Sequence, residues 1–154
     1  MVTGGRINVR GKSKMVAVRA PNFSMRCALV VEDNEHIAYM LRFMLERAGY
    51  EVILAQNGRD AQAMIRDNAP VDVILLDLML PYISGYQLIA EVRENRDWRY
   101  VPIVVLSGKV LEDDIVRALD LGANDYVTKP FRPEELLARL RRVVAENERF
   151  THTQ

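Results

Sequence analysis

From Met25 onward the chain alternates short apolar runs with amphipathic stretches. Cys27-Ala28-Leu29-Val30-Val31 is a continuous apolar run of strand length. Asp33 and Asn34 follow it and can cap a helix. Ile37, Met40, Leu41, Met44 and Leu45 then recur at helical spacing, and Gly49 stops that helix. Val52 to Ala55 is a second run, and Ala61, Met64 and Ile65 stripe a second helix. Val71 to Leu76 is a third run, ending at Asp77, with Leu88, Ile89 and Val92 striping the helix behind it. Val101 to Leu106 is a fourth run, ending at Ser107; Ile115, Ala118 and Leu119 mark the next helix, closed by Gly122. Asp125 to Thr128 is a short fifth strand. Pro133 opens a last helix, where its missing N–H costs nothing, and Leu136, Leu140, Val143 and Val144 form its stripe. Runs that are apolar on both faces suit a buried parallel sheet, and right-handed crossovers place helices on both sides of it. The pattern predicts an α/β fold: a doubly wound, five-stranded parallel sheet.

Composition adds one asymmetry. The 154 residues carry no net formal charge, yet residues 1–24 hold five basic residues and no acidic one. The remainder is acidic, with a net charge of −5. The leader shows neither strand nor helix period and contains Gly4, Gly5, Gly11 and Pro21. It reads as a disordered or extended basic segment: first a vector-derived leader, second a native tail, third a sparse nucleic-acid arm. The expected organisation is this leader, one domain over residues 25–150, and a tail over 151–154. A single cysteine excludes an intrachain disulfide framework, and no apolar stretch approaches the roughly 18 residues of a membrane span. A cytoplasmic, reducing compartment fits these features.

In a parallel sheet all strands end at one edge, where ligands bind. Here those ends carry Glu32 and Asp33, then Asp77, then Ser107, then Lys129 just before Pro130. Carboxylates packed together raise one another's pKa and call for a cation; an all-oxygen set suits magnesium. With one carboxylate left free to meet phosphorus, and Lys129 and Ser107 to spread charge on its oxygens, the chemistry implied is phosphoryl transfer onto Asp77. Taken singly, each residue has a plainer reading: a helix cap, a turn residue, a strand-end hydroxyl, a surface lysine. Four of them at four strand ends of one sheet do not.

These stretches resemble the receiver domain of two-component response regulators. The resemblance rests on Leu29 to Asn34, Asp72 to Pro81, Pro102 to Ser107 and Gly122 to Phe131, in order and spaced by whole helices. It implies strand order 2-1-3-4-5. It implies that Asp77 accepts phosphate from the histidine of a sensor kinase. It implies that Mg2+ is held by Asp33 and Asp77, with Glu32 in support and the backbone carbonyl of Met79 as a further ligand. Ser107 is then the switch hydroxyl, Lys129 pairs with the phosphate, and the ring of Tyr126 turns inward when Ser107 engages it. A cis Lys129–Pro130 bond is expected. Glu32 replaces a frequent Asp, Ser84 stands where Asp is usual, and Met79 and Lys109 occupy variable positions that tune phosphate lifetime.

The resemblance reaches a second surface, built from the fourth helix, fifth strand and fifth helix. In the winged-helix transcription-factor branch it implies a homodimer joined by Arg117 with Glu135, Asp125 with Arg139 and Asp120 with Arg141, with Leu119 and Leu140 near its apolar part. Exposed pairs of this kind are worth only ~0–1 kcal/mol each, so they set register more than affinity. DNA enters only through an output domain that these residues do not include. Either the chain works alone on a protein partner, or it is a receiver cut from a longer regulator. The rival reading is a receiver fold used as a phosphorylation-independent interaction module, against which the complete acidic pair, Asp77, Ser107 and Lys129 all stand. A dinucleotide site lacks its glycine turn, and a haloacid-dehalogenase-type phosphatase would need an Asp where Met79 stands. Cys27 is expected as a buried thiol, Met40, Met44 and Met64 as core filler, and Trp98 as a partly exposed cover residue.

Overall fold

The computed structural model describes residues 5–7, 16–18 and 25–153. Two segments of the leader, β1 (Gly5–Ile7) and β2 (Val16–Val18), pair antiparallel; the rest of the leader lies outside the described residues. The body runs β3 (Arg26–Val31), α1 (Glu35–Arg47), β4 (Tyr50–Ala55), α2 (Gly58–Asp67), β5 (Val73–Leu76), α3 (Gly85–Glu94), β6 (Ile103–Ser107), α4 (Glu112–Leu121), β7 (Asp125–Thr128) and α5 (Pro133–His152). Its five strands are parallel and ordered β4-β3-β5-β6-β7, which is 2-1-3-4-5 counted within the body.

Strand alternation sorts the core into two layers. Leu29, Val31, Ile74, Leu76, Ile103 and Val105 face one way, onto Met64, Ile89 and Ala118 of α2, α3 and α4. Ala28, Val30, Val73, Leu75, Val104 and Leu106 face the other way, onto Leu41 and Leu45 of α1 and Leu136 and Leu140 of α5. Each helix start has a local chemical cause. Asn34, Asn57 and Ser84 cap α1, α2 and α3 through their side chains. Pro133 sits at the start of α5, and Glu112, Asp113 and Asp114 fill the first turn of α4, where they complement the helix dipole.

Three expectations need correction. Trp98 is not a partly exposed cover; it is fully buried, because its indole N–H donates to the Asn68 carbonyl at 2.9 Å and so leaves no polar group unpaired. Met40 is 46% exposed: the buried stripe of α1 runs through Ala38, Leu41, Met44 and Leu45, and Met40 falls beside it. Cys27 is half-buried rather than fully enclosed, and burial together with the charges of Asp72 and Glu51 pushes its thiol up to about 12.

At the end opposite the strand termini, α3, α4 and the strands are joined by one side chain. Arg93 donates through Nε and Nη2 to the Gly122 carbonyl, through Nη1 to the carbonyls of Arg99 and Val101, and through Nη2 to Asn124 Oδ1. Asn124 Oδ1 also accepts from the Ile103 amide. Gly122 has a φ of +117°, and a Cβ there would lie 2.9 Å from the Arg93 side chain, so glycine is required twice over.

Candidate functional site

The hydrogen-bond ladder continues past the strand ends and fixes the site residues. The amide of Glu32 donates to the Ala55 carbonyl and that of Asp77 to the Val31 carbonyl, both at 3.0 Å; the Lys129 amide donates to the Ser107 carbonyl at 2.9 Å. The side chains are therefore set by sheet backbone rather than by a free loop. Behind Asp77 the backbone is crowded: a Cβ on Gly85 would lie 2.5 Å from the Asp77 carbonyl oxygen, so the first turn of α3 rests directly on the residue.

Glu32, Asp77 and Ser107 are the buried polar and charged side chains among the described residues. Lys129 Nζ reaches Glu32 Oε2 at 2.7 Å and Asp77 Oδ2 at 3.2 Å. The second oxygen of each carboxylate is held by backbone: Asn34 N donates to Glu32 Oε1 at 3.2 Å, and Met79 N to Asp77 Oδ1 at 3.1 Å. Asp33 is exposed at the mouth, yet carboxylate oxygens of Glu32, Asp33 and Asp77 all lie within 4.8 Å of one another. Ser107 Oγ accepts from the Lys109 amide at 3.3 Å. Tyr126 is half-buried against the core, and its hydroxyl donates to the Lys109 carbonyl at 2.7 Å. The Lys129–Pro130 bond is cis, as expected.

Electrostatics follow from this packing. Burial pushes the Glu32 carboxyl above the ordinary carboxylate range; the hydrogen bond from Lys129 pulls it back in part, and the charge of Asp77 adds to the rise. Burial pulls the Lys129 ammonium down, but its hydrogen bond to Glu32 and the charges of Asp77 and Glu32 outweigh that, and the net direction is up. Three carboxylates face one ammonium, so the cluster keeps an excess of negative charge. Oxygen donors with such an excess fit a small divalent cation, and Glu32, Asp33 and Asp77 are the carboxylates placed to hold one.

The second surface lies on α4, β7 and α5. Arg117, Leu119, Asp120 and Glu135 are exposed, and Arg139 and Asp125 half-exposed. Within the chain, Arg139 pairs with Asp125 at 3.2 Å and with Glu135 at 3.0 Å. One residue is corrected. Leu140 is 1% exposed and belongs to the core under α5, so it offers no surface. Arg141 is exposed on α5, and the phenol of Tyr50 feels its charge. Within the chain Arg142 also joins Asp125, at 3.3 Å. Glu135, Arg139 and Arg142 follow the i, i+4, i+7 spacing of one helix face, and that spacing was the signal available in the sequence.

Comparison with known proteins agrees with this geometry. The profile of the response regulator receiver domain matches residues 28–141. The phosphate regulon transcriptional regulatory protein PhoB of Pseudomonas aeruginosa is 44% identical over 116 residues, which are 75% of this chain and 50% of that protein. The chain thus spans about half the length of that curated relative. Among solved structures, the receiver domain of the sensor histidine kinase PA1611 from the same species, described with magnesium in its active-site cleft, superposes with a TM-score of 0.72 at 35% identity, covering 78% of this chain and 98% of that one. The receiver domain of the Francisella response regulator 1452 gives a TM-score of 0.72 at 30% identity over 79% and 98% of the two chains. A CheY-like receiver protein from Methanospirillum hungatei gives 0.76 at 27% over 82% and 98%. Sheet order, strand-end chemistry and these matches agree: the chain belongs to the response regulator receiver domain family of two-component signalling.

Proposed function

We propose that Asp77 is the phosphoacceptor of this receiver and that phosphate on it alters the surface formed by α4, β7 and α5. The observation that carries the reading is the placement of Lys129 Nζ, 3.2 Å from Asp77 Oδ2 and 2.7 Å from Glu32 Oε2, in a cluster that still holds excess negative charge. An Asp77 carboxylate oxygen attacks the phosphorus carried by a kinase histidine; the new O–P bond forms as the N–P bond breaks, and the imidazole leaves. Magnesium would be held by Asp33, Asp77 and the Met79 carbonyl with Glu32 in support, and when bound would supply neutralising charge for the phosphoryl oxygens. Met79 N holds the other oxygen of Asp77. Lys129 exchanges part of its pairing for a phosphoryl oxygen, and the buried Ser107 hydroxyl donates to another. Because Ser107 and Tyr126 both bond to Lys109, movement of one is felt by the other.

Exposed Val116 and Leu119 on α4, beside Arg117 and Asp120, support α4–β7–α5 as the responding face and a homodimer as its product. The kinase partner, a DNA-binding output domain like that of a transcriptional regulator, and a cytoplasmic setting belong to the same reading. Intact mass after incubation with magnesium and a small phosphodonor tests it. A gain of one phosphate in the parent, absent from Asp77→Asn, is expected. A gain in both proteins removes Asp77 from the role, and a gain in neither favours a phosphorylation-independent interaction module.

A further inference from the structure

Tyr86 stands outside the resemblance and outside the strand-end cluster, yet it is 94% buried where α3 meets α4. It follows Gly85, whose backbone packs on Asp77. Its hydroxyl donates to Asp114 Oδ1 at 3.1 Å. Asp114 also pairs with Lys109 Nζ at 3.7 Å. The Tyr86 ring carries two cations, with Arg117 Cζ 4.0 Å and Lys109 Nζ 5.5 Å from its centroid. Burial and the bond to Asp114 push its phenol up to about 12, so it is a neutral donor throughout the physiological range.

These contacts converge on one short loop. Lys109 supplies the carbonyl that holds Tyr126 and the amide that holds Ser107. Its side chain is fixed by Asp114 and the Tyr86 ring. Arg117, one turn further along α4, lies on the proposed output face.

We propose that Tyr86 is a positioning residue of the switch: through Asp114 and Lys109 it sets the loop carbonyl that receives Tyr126, and through its ring it holds Arg117 in place. This rests on the reading of Asp77 and Tyr126 given above. The hydroxyl and the ring carry separate duties. The hydroxyl orders the first turn of α4; the ring stores a charge that a dimer would otherwise have to immobilise on its own.

The test uses the chain labelled with 3-fluorotyrosine, each signal assigned by single Tyr→Phe changes. Tyr86→Phe removes the bond to Asp114 and keeps the ring; Asp114→Ala removes the acceptor; the double variant closes a cycle. Both single variants should move the Tyr126 fluorine signal toward its solvent-exposed position and raise amide exchange over residues 109–114 about fivefold, the effect of one lost hydrogen bond. The double variant should go no further than Asp114→Ala alone, which already removes the Tyr86 bond and the Lys109 pair. Tyr126 signals that coincide with the parent's in both single variants overturn the proposal, as do fully additive shifts in the double. A purely structural role would lower Tm without moving the Tyr126 signal. Phosphate uptake, measured on the same samples, separates the two readings: failure of uptake in the parent sinks the assignment of Asp77, whereas normal uptake with an unmoved Tyr126 sinks only that of Tyr86.

Discussion

The two ends of the sheet each hold a largely buried cation, and they treat it in opposite ways. At the carboxyl end Lys129 is paired with two carboxylates, and the cluster around it keeps surplus negative charge. At the amino end Arg93 meets no carboxylate among its hydrogen-bond partners; three carbonyls and one amide oxygen take every donor it has. Burial accordingly lowers the pKa of Arg93, while the pKa of Lys129 is raised by its partners in spite of burial. A cation held by charges can change partners when a new anion arrives. A cation held by fixed backbone dipoles cannot, and it serves as a clamp. On the proposed reading, one end can exchange partners and the other holds still.

The contrast is broken most forcefully at Arg93. Arg93→Ala takes the Arg93 donors from the carbonyls of Gly122, Arg99 and Val101 and leaves Asn124 Oδ1 with the Ile103 amide alone; it should cost about 3 kcal/mol, or about 6–12 °C in Tm. Added magnesium should not restore it, and thermal melts with and without the ion check this. Lys129→Met removes the one ammonium from a set of carboxylates. Its smaller loss in Tm should be recovered by magnesium or by acid, since either one neutralises the cluster. If both variants respond alike to magnesium, the distinction between the two ends is wrong.

Trp98→Phe comes next. It removes the donor to Asn68 from a fully buried site and should cost about 2 kcal/mol in urea melts, with no change in phosphate uptake. Glu32→Gln is a finer probe. The folded-state pKa of Glu32 is raised, so its contribution to stability is fully present below its unfolded pKa and is lost as pH rises through the folded value. The variant should therefore melt higher than the parent at neutral pH, with the gap closing on acidification toward the ordinary range of about 4. Arg142→Ala, on an exposed pair, should change stability by no more than about 0.5 kcal/mol while weakening any dimer that uses Asp125.

Most of the frame was legible because each element announced itself locally. Five apolar runs marked the strands to within two residues, and the stripes bounded by Gly49, Gly122 and Pro133 fell inside their helices, although α5 runs on to His152, well past Val144. The strand-end residues were legible for the same reason, since a run's last residue is known once the run is known. What escaped was set by contacts between distant parts. Trp98 sits in a polar stretch, and its burial depends on the Asn68 carbonyl, thirty positions away. Arg93 and Tyr86 look like ordinary helix residues until α4 is laid against α3. Met40 shows the other limit: on a helix, one position separates a buried side chain from its neighbour on the flank. Leu140 was misplaced for that reason too, since an apolar residue among charges reads equally as interface or as core.

Glu32 and Lys129 are bonded across 97 positions of chain, and Asp77 and Lys129 across 52. No hairpin, helix or half-domain contains the site. It comes into being only when β3, β5, β6 and β7 have all found their places, through contacts that are among the most non-local in the body. On the proposed reading of Asp77, a nascent, nicked or partly opened chain has the aspartate but not the company that makes it reactive, and a phosphate written there marks an intact molecule.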